Sequence, residues 1–136
     1  MIEYTKLIID FGLVVLVWVV QFAIYPSFQF YAVEDLKKWH PKYTLGISWV
    51  VAPLMLAQLG VAIYLATIHQ SLFIIGNLAL VIATWIITFV WAIPLHHAID
   101  HQDELASELA QLLIVNRVRA FIWTVIFIWT VGVMIL

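Results

Sequence analysis

Charged residues punctuate this chain at wide intervals. None lies between Asp10 and Glu34, none between Lys42 and Asp100, and none after Arg119. A helix needs about 20 apolar residues to cross a hydrocarbon core about 30 Å thick. The first interval holds one span, and the second holds two with a tight connection. The third, extended back through Leu112, holds a fourth. The pattern predicts helices over 4–30, 43–66, 72–99 and 105–136. It predicts a short helical turn in the interface over the polar segment 34–42, a turn at 67–71, and a polar connection at 100–104. An open sheet would leave backbone groups unpaired in lipid, and the apolar runs lack the alternation of a membrane barrel. The expected fold is all-α: one domain over 1–136, a four-helix transmembrane bundle running up-down-up-down with short loops.

Composition narrows the class further. Of 136 residues, 65% are hydrophobic and 10% charged, with six basic and eight acidic side chains. Soluble domains carry about a quarter charged residues. This balance excludes a soluble globule, a disordered chain and a nucleic-acid binder, which needs a basic face. With no cysteine, disulfides and thiol catalysis are excluded. Lys37, Lys38, Lys42, Arg117 and Arg119 fall on one side of the membrane and Lys6 on the other. The positive-inside rule then puts the lysine-rich side in the cytoplasm and both termini outside, as in a multi-pass protein of a bacterial inner membrane. The flank Met-Ile-Glu-Tyr-Thr-Lys and the lack of a small-residue cleavage site speak against a signal peptide.

Polar groups in hydrocarbon need partners, so their positions are the first place to look for function. Trp18, Gln21, Tyr25 and Gln29 form a stripe on helix 1, and His40, Thr44 and Gln58 one on helix 2. Thr84, Thr88 and His96 share a face of helix 3, and Glu108, Asn116, Arg119 and Trp123 one of helix 4. Most of these fall in the cytoplasmic half. The other half offers only Asp10, His69, Gln70 and Asn77 and reads as nearly pure hydrocarbon. A pocket is therefore expected to open toward the cytoplasm, lined by Gln21, Tyr25, His40, Tyr43, His96, Asn116 and Arg119. Gln58 lies on its helix 2 stripe, and Trp18, Trp91 and Trp123 are candidate walls. In that pocket His96 is the candidate base, Arg119 the anion holder and Tyr25 the proton donor. His97 and His101, four apart, could chelate a metal from one helical turn, with His40 and His96 adding ligands, and haem between His40 and His96 is a variant. The bland reading of each stands beside these. Histidines at helix ends hydrogen bond in the interface, Arg119 snorkels to headgroups, and Gln21, Tyr25 and Gln58 glue helices together. Arg117 points to nearly the opposite face from Arg119.

The C-terminal third carries a further pattern: Pro94 and His96 at a helix end, a short polar turn, then Asn116, Arg119 and Trp123. With YPSF at 25–28 and WHPKY at 39–43, it resembles small four-helix bacterial membrane proteins of unknown function. More distantly it is similar to the family that includes fungal anthrone oxygenases. That resemblance implies oxygenase-like chemistry on an aromatic or lipophilic substrate. The helix motifs of the four-helix protoporphyrinogen oxidases are not found. Three readings follow: a membrane oxidoreductase or oxygenase-like enzyme acting on a lipophilic small molecule; an accessory or ligand-binding subunit of a homo-oligomer or larger membrane complex; and a small transporter or channel. The last is weakened by the apparent lack of polar lining in the extracellular half. Whether the site takes a metal ion, a haem or no cofactor stays open at this point.

Overall fold

A computed structural model describes residues 1–135. It contains four helices long and apolar enough to cross a membrane: α1 (Ile2–Phe30), α2 (Val33–Ile68), α3 (Leu72–His101) and α4 (Ala106–Ile135). Each packs on two neighbours, α1 on α2 and α4, and α3 on the same two, so the bundle closes as a square. Successive helices run antiparallel. The α1–α2 and α3–α4 connections share one end, here called the connection end. The N-terminus, the α2–α3 turn and the last residues of α4 share the other, the terminal end.

The polar segment 34–42 is not a separate interfacial turn but the start of α2. Ala32 caps the helix in an extended conformation, and Glu34 and Asp35 occupy the first turn. Acidic residues there complement the partial positive charge of a helix N-terminus. The 36 residues of α2 span roughly 54 Å at 1.5 Å per residue, so its charged turns stand outside a 30 Å core. Lys37 of this segment pairs with Asp103 in the α3–α4 connection. That bond and the lysine's charge hold the Asp103 carboxyl below its usual range. α3 likewise runs on through Asp100 to His101.

The prolines shape α1 and α3 in the same way. A π-helical segment covers Val20–Ile24, and regular helix resumes at Tyr25 with Pro26 in its first turn. A second π segment covers Thr88–Ala92, and helix resumes at Ile93 with Pro94 in its first turn. Proline lacks an N–H and clashes with the carbonyl four residues back. The wider π turn accommodates both problems by inserting one residue, and such insertions often mark functional positions. Tyr25 and His96 lie just beside the two prolines.

The core has two parts. One gathers Val20, Phe28, Leu36, Leu95, Ile99 and Leu112 toward the connection end. The other gathers Leu13, Met55, Val81, Ala120, Trp123 and Ile126 toward the terminal end.

Candidate functional site

Three helices contribute to a hydrogen-bonded chain near the connection end. Asp100 Oδ1 lies 2.6 Å from His40 Nδ1. His40 Nε2 lies 2.9 Å from His96 Nδ1, and the two rings stack at 5.1 Å. His96 Nε2 lies 3.0 Å from Tyr25 Oη. His40 is fully buried beneath Phe28, whereas the Asp100 side chain is 23% exposed. One proton arrangement follows when Asp100 is ionised and both imidazoles are neutral. The carboxylate only accepts, so His40 Nδ1–H donates to it and His40 Nε2 accepts from His96 Nδ1–H. His96 Nε2 then accepts from the Tyr25 hydroxyl. The chain runs from partly solvated carboxylate to buried phenol with every ring nitrogen engaged.

Tyr25 and His96 reach the wall of a cavity of about 220 Å³. Tyr43, Asn116, Arg119 and Trp123 share its lining with apolar side chains of all four helices. Exposed Ser48 and Ala52 of α2 and Phe89 and Ile93 of α3 also line it, so it opens sideways between α2 and α3, where acyl chains would lie, not through the connection end. Arg119 is 7% exposed. Its guanidinium lies 4.9 Å from the Trp123 ring centroid, within cation–π range. Among the described residues it has no ion-pair partner, and its Nε has no acceptor. Arg117 is exposed. Trp85 Nε1, on the same cavity, also lacks an acceptor. Arg119 and Trp85 thus both line this cavity, and each holds a buried N–H without an acceptor.

The rest of the expected set divides. Gln21 is buried and accepts from Asn116 Nδ2 at 2.9 Å, which joins α1 to α4 beside the cavity. Gln58 is not on the cavity: its Nε2 donates to Asp10 at 2.6 Å, and its Oε1 accepts from Trp123 Nε1 at 3.1 Å. Trp91 is 39% exposed and faces outward. His97 and His101 are exposed and stack on each other at 4.2 Å, with His101 Nδ1 held against the His97 carbonyl. They do not converge with His40 and His96. Among the described residues no group of three or more His, Asp or Glu side chains is placed to hold a metal ion. The ring nitrogens of His40 and His96 are taken up by the chain itself, so these residues as arranged do not fit a metal or haem iron.

The terminal half is more polar than its composition implies. Lys6 and Asp10 form an ion pair at 2.5 Å, with side chains 6% and 0% exposed. Thr130 donates to Asp10 Oδ2 at 2.7 Å and accepts from Lys6 Nζ at 3.1 Å, while Gln58 covers Asp10 Oδ1. The expectation of a nearly pure hydrocarbon half is corrected by this network. Its signal was present as a lysine and an aspartate four apart on one helix face. A lysine so near the chain start reads equally well as one reaching to the interface. Asp100, four residues beyond His96 on the same helix, meets His40 instead.

Comparison of the chain with protein-family models, with curated proteins and with solved structures finds no match.

Proposed function

We propose that this integral membrane protein is an enzyme that removes a proton from a lipophilic substrate and holds the resulting oxyanion. The observation that carries the reading is the chain Asp100–His40–His96–Tyr25, which links a partly solvated carboxylate to a lipid-accessible cavity. With protons placed as above, Tyr25 can take a proton from substrate while passing its own to His96. His96 then passes its Nδ1 proton to His40, and His40 passes its own to Asp100, which exchanges with water. Three neutral groups need not hold charge for long in the buried segment, which suits a site removed from solvent. Arg119 supplies positive charge on the same wall.

Cavity size limits the reacting part of the substrate. A cavity of about 150 Å³ accommodates benzene. One of 220 Å³ takes a small aromatic or unsaturated oxygen-bearing head, with any tail leaving between α2 and α3. A phenol or an enolisable ketone meets these demands. Its anion is also the form most readily oxidised, which is where the oxygenase-like reading joins this one.

A transport reading loses its main objection, since the terminal half is polar inside. Yet Lys6, Asp10, Thr130 and Gln58 bind one another, and none of them lines the cavity.

The test uses a hydrophobic chromogenic phenol and the protein in nanodiscs. Bound phenol is predicted to ionise about one pKa unit lower than in protein-free nanodiscs, corresponding to about 1.4 kcal/mol. Arg119→Met and His96→Phe are predicted to abolish the shift while leaving the protein folded. An identical titration with and without wild-type protein rules the proposal out.

A further inference from the structure

Among the described residues no carboxylate pairs with Arg119, and its guanidinium lies 4.9 Å from the Trp123 ring centroid. Where the indole sits therefore bears on where that charge sits. Trp123 is in turn tied to another helix, since its N–H donates to Gln58 of α2. We infer that Gln58 is a positioning residue for Arg119, acting through the Trp123 indole. The inference rests on Arg119 as the anion holder of the proposed reaction. It gives Gln58, which does not line the cavity, a place in that site.

The chemistry of its two neighbours fixes the Gln58 amide in one orientation. Asp10 Oδ1 as a carboxylate only accepts, so Gln58 turns its Nε2–H toward it, at 2.6 Å. The Trp123 N–H only donates, so Gln58 turns Oε1 toward it, at 3.1 Å. A flipped amide would set oxygen against carboxylate and N–H against N–H. Asp10 is itself anchored, because its other oxygen accepts from Lys6 and Thr130. Gln58 and Asp10 are 0% exposed and Trp123 1%, so water does not compete for these bonds.

Apolar packing alone does not set the indole. The torsion that turns a tryptophan ring about its Cβ–Cγ bond is broad and roughly two-fold. A half turn about that bond displaces the centre of the bicyclic ring and presents Arg119 with the opposite face. Only the orientation seen here places the N–H on Gln58, and any other leaves a buried donor unpaired. The acceptor also acts on the ring electronically. A hydrogen bond taken from the indole N–H makes the ring more electron-rich, and the carboxylate behind Gln58 polarises both bonds in the same sense. An electron-rich face attracts a cation more strongly.

The chain has two arginines, and Arg117 is exposed. Arginine ¹⁵N labelling of the full chain in nanodiscs therefore yields two side-chain Nε–H signals, assigned with Arg117→Lys, and Arg117 serves as the internal reference. A proton above an aromatic face is shielded, so the Arg119 signal is predicted to lie upfield of the Arg117 signal. In Gln58→Met it is predicted to move back toward the Arg117 position while Arg117 stays in place. Replacing Trp123 by benzothienylalanine keeps a bicyclic ring but puts sulfur in place of the N–H. It is predicted to have the same effect, and it is the deciding arm if Gln58→Met does not fold. Both changes are predicted to cut the ionisation shift of bound phenol to about half a pKa unit. An Arg119 signal that coincides with that of Arg117 in wild type would overturn the inference. So would an Arg119 signal unmoved by both changes, even with a lowered unfolding temperature, since Gln58 would then serve packing alone. Displacement of the Arg119 signal by both changes, with no phenol shift in wild type, would uphold the positioning of Arg119 and overturn the proposed activity alone.

Discussion

Lys6 and Arg119 are both buried cations, but only Lys6 has a carboxylate beside it. The difference sets opposite signs for removing the two charges. Lys6→Met strands Asp10 in the interior, and breaking a buried pair in this way costs about 3–5 kcal/mol. Arg119→Met instead removes a desolvated charge that no carboxylate among the described residues neutralises. Replacing buried ionic groups with well-packed apolar ones is often stabilising, by about 1–4 kcal/mol. Thermal unfolding in detergent is thus predicted to show a lower midpoint for Lys6→Met and a higher one for Arg119→Met. A lower midpoint for Arg119→Met would mean that its charge serves the fold, and the reading of Arg119 as an anion holder would lose its support. Arg119 was legible in the sequence because Asn116 and Trp123 share its helix stripe while Arg117 falls on another face. Gln58 was legible as inward but not as a partner of Asp10. A stripe gives the direction of a side chain, and which of several inward groups it meets depends on the vertical register of two helices.

At the scale of elements, the sequence showed four spans through its charge-free intervals, and the structure has four. It misplaced the start of α2 because charged residues read as a separate helical turn in the interface, whereas a spanning helix can carry them once it has left the bilayer. The charge pattern does not reveal that Pro26 and Pro94 are each accommodated by a π segment ending two residues earlier. That detail positions the site. Each residue inserted into or removed from a helix rotates everything beyond it by about 100°. Pro94→Ala removes the reason for the Thr88–Ala92 segment, and regular helix there would turn His96 away from Tyr25 and His40. The variant is predicted to unfold at an equal or higher temperature than wild type and to lose the ionisation shift of bound phenol. Retention of that shift would show that the π segment does not position His96.

Across the whole molecule, Trp123 joins the cavity to the polar network of the terminal half: Arg119 lies over its ring, and its N–H reaches Gln58, which reaches Asp10. Composition identified the solvent of this protein, and the stripes identified Tyr25, His40, His96 and Arg119. The addition of Thr130 to the Lys6–Asp10 pair depends on contacts between α1 and the far end of α4. Nothing local in the sequence encodes those contacts. The directed chain from Tyr25 to Asp100 is read out by ¹⁵N NMR of histidine-labelled protein at neutral pH. His40 and His96, assigned by their single-site variants, are predicted to appear as neutral rings protonated at Nδ1, with His96 Nε2 shifting in Tyr25→Phe. Rings protonated at Nε2, or an imidazolium at either position, would contradict it.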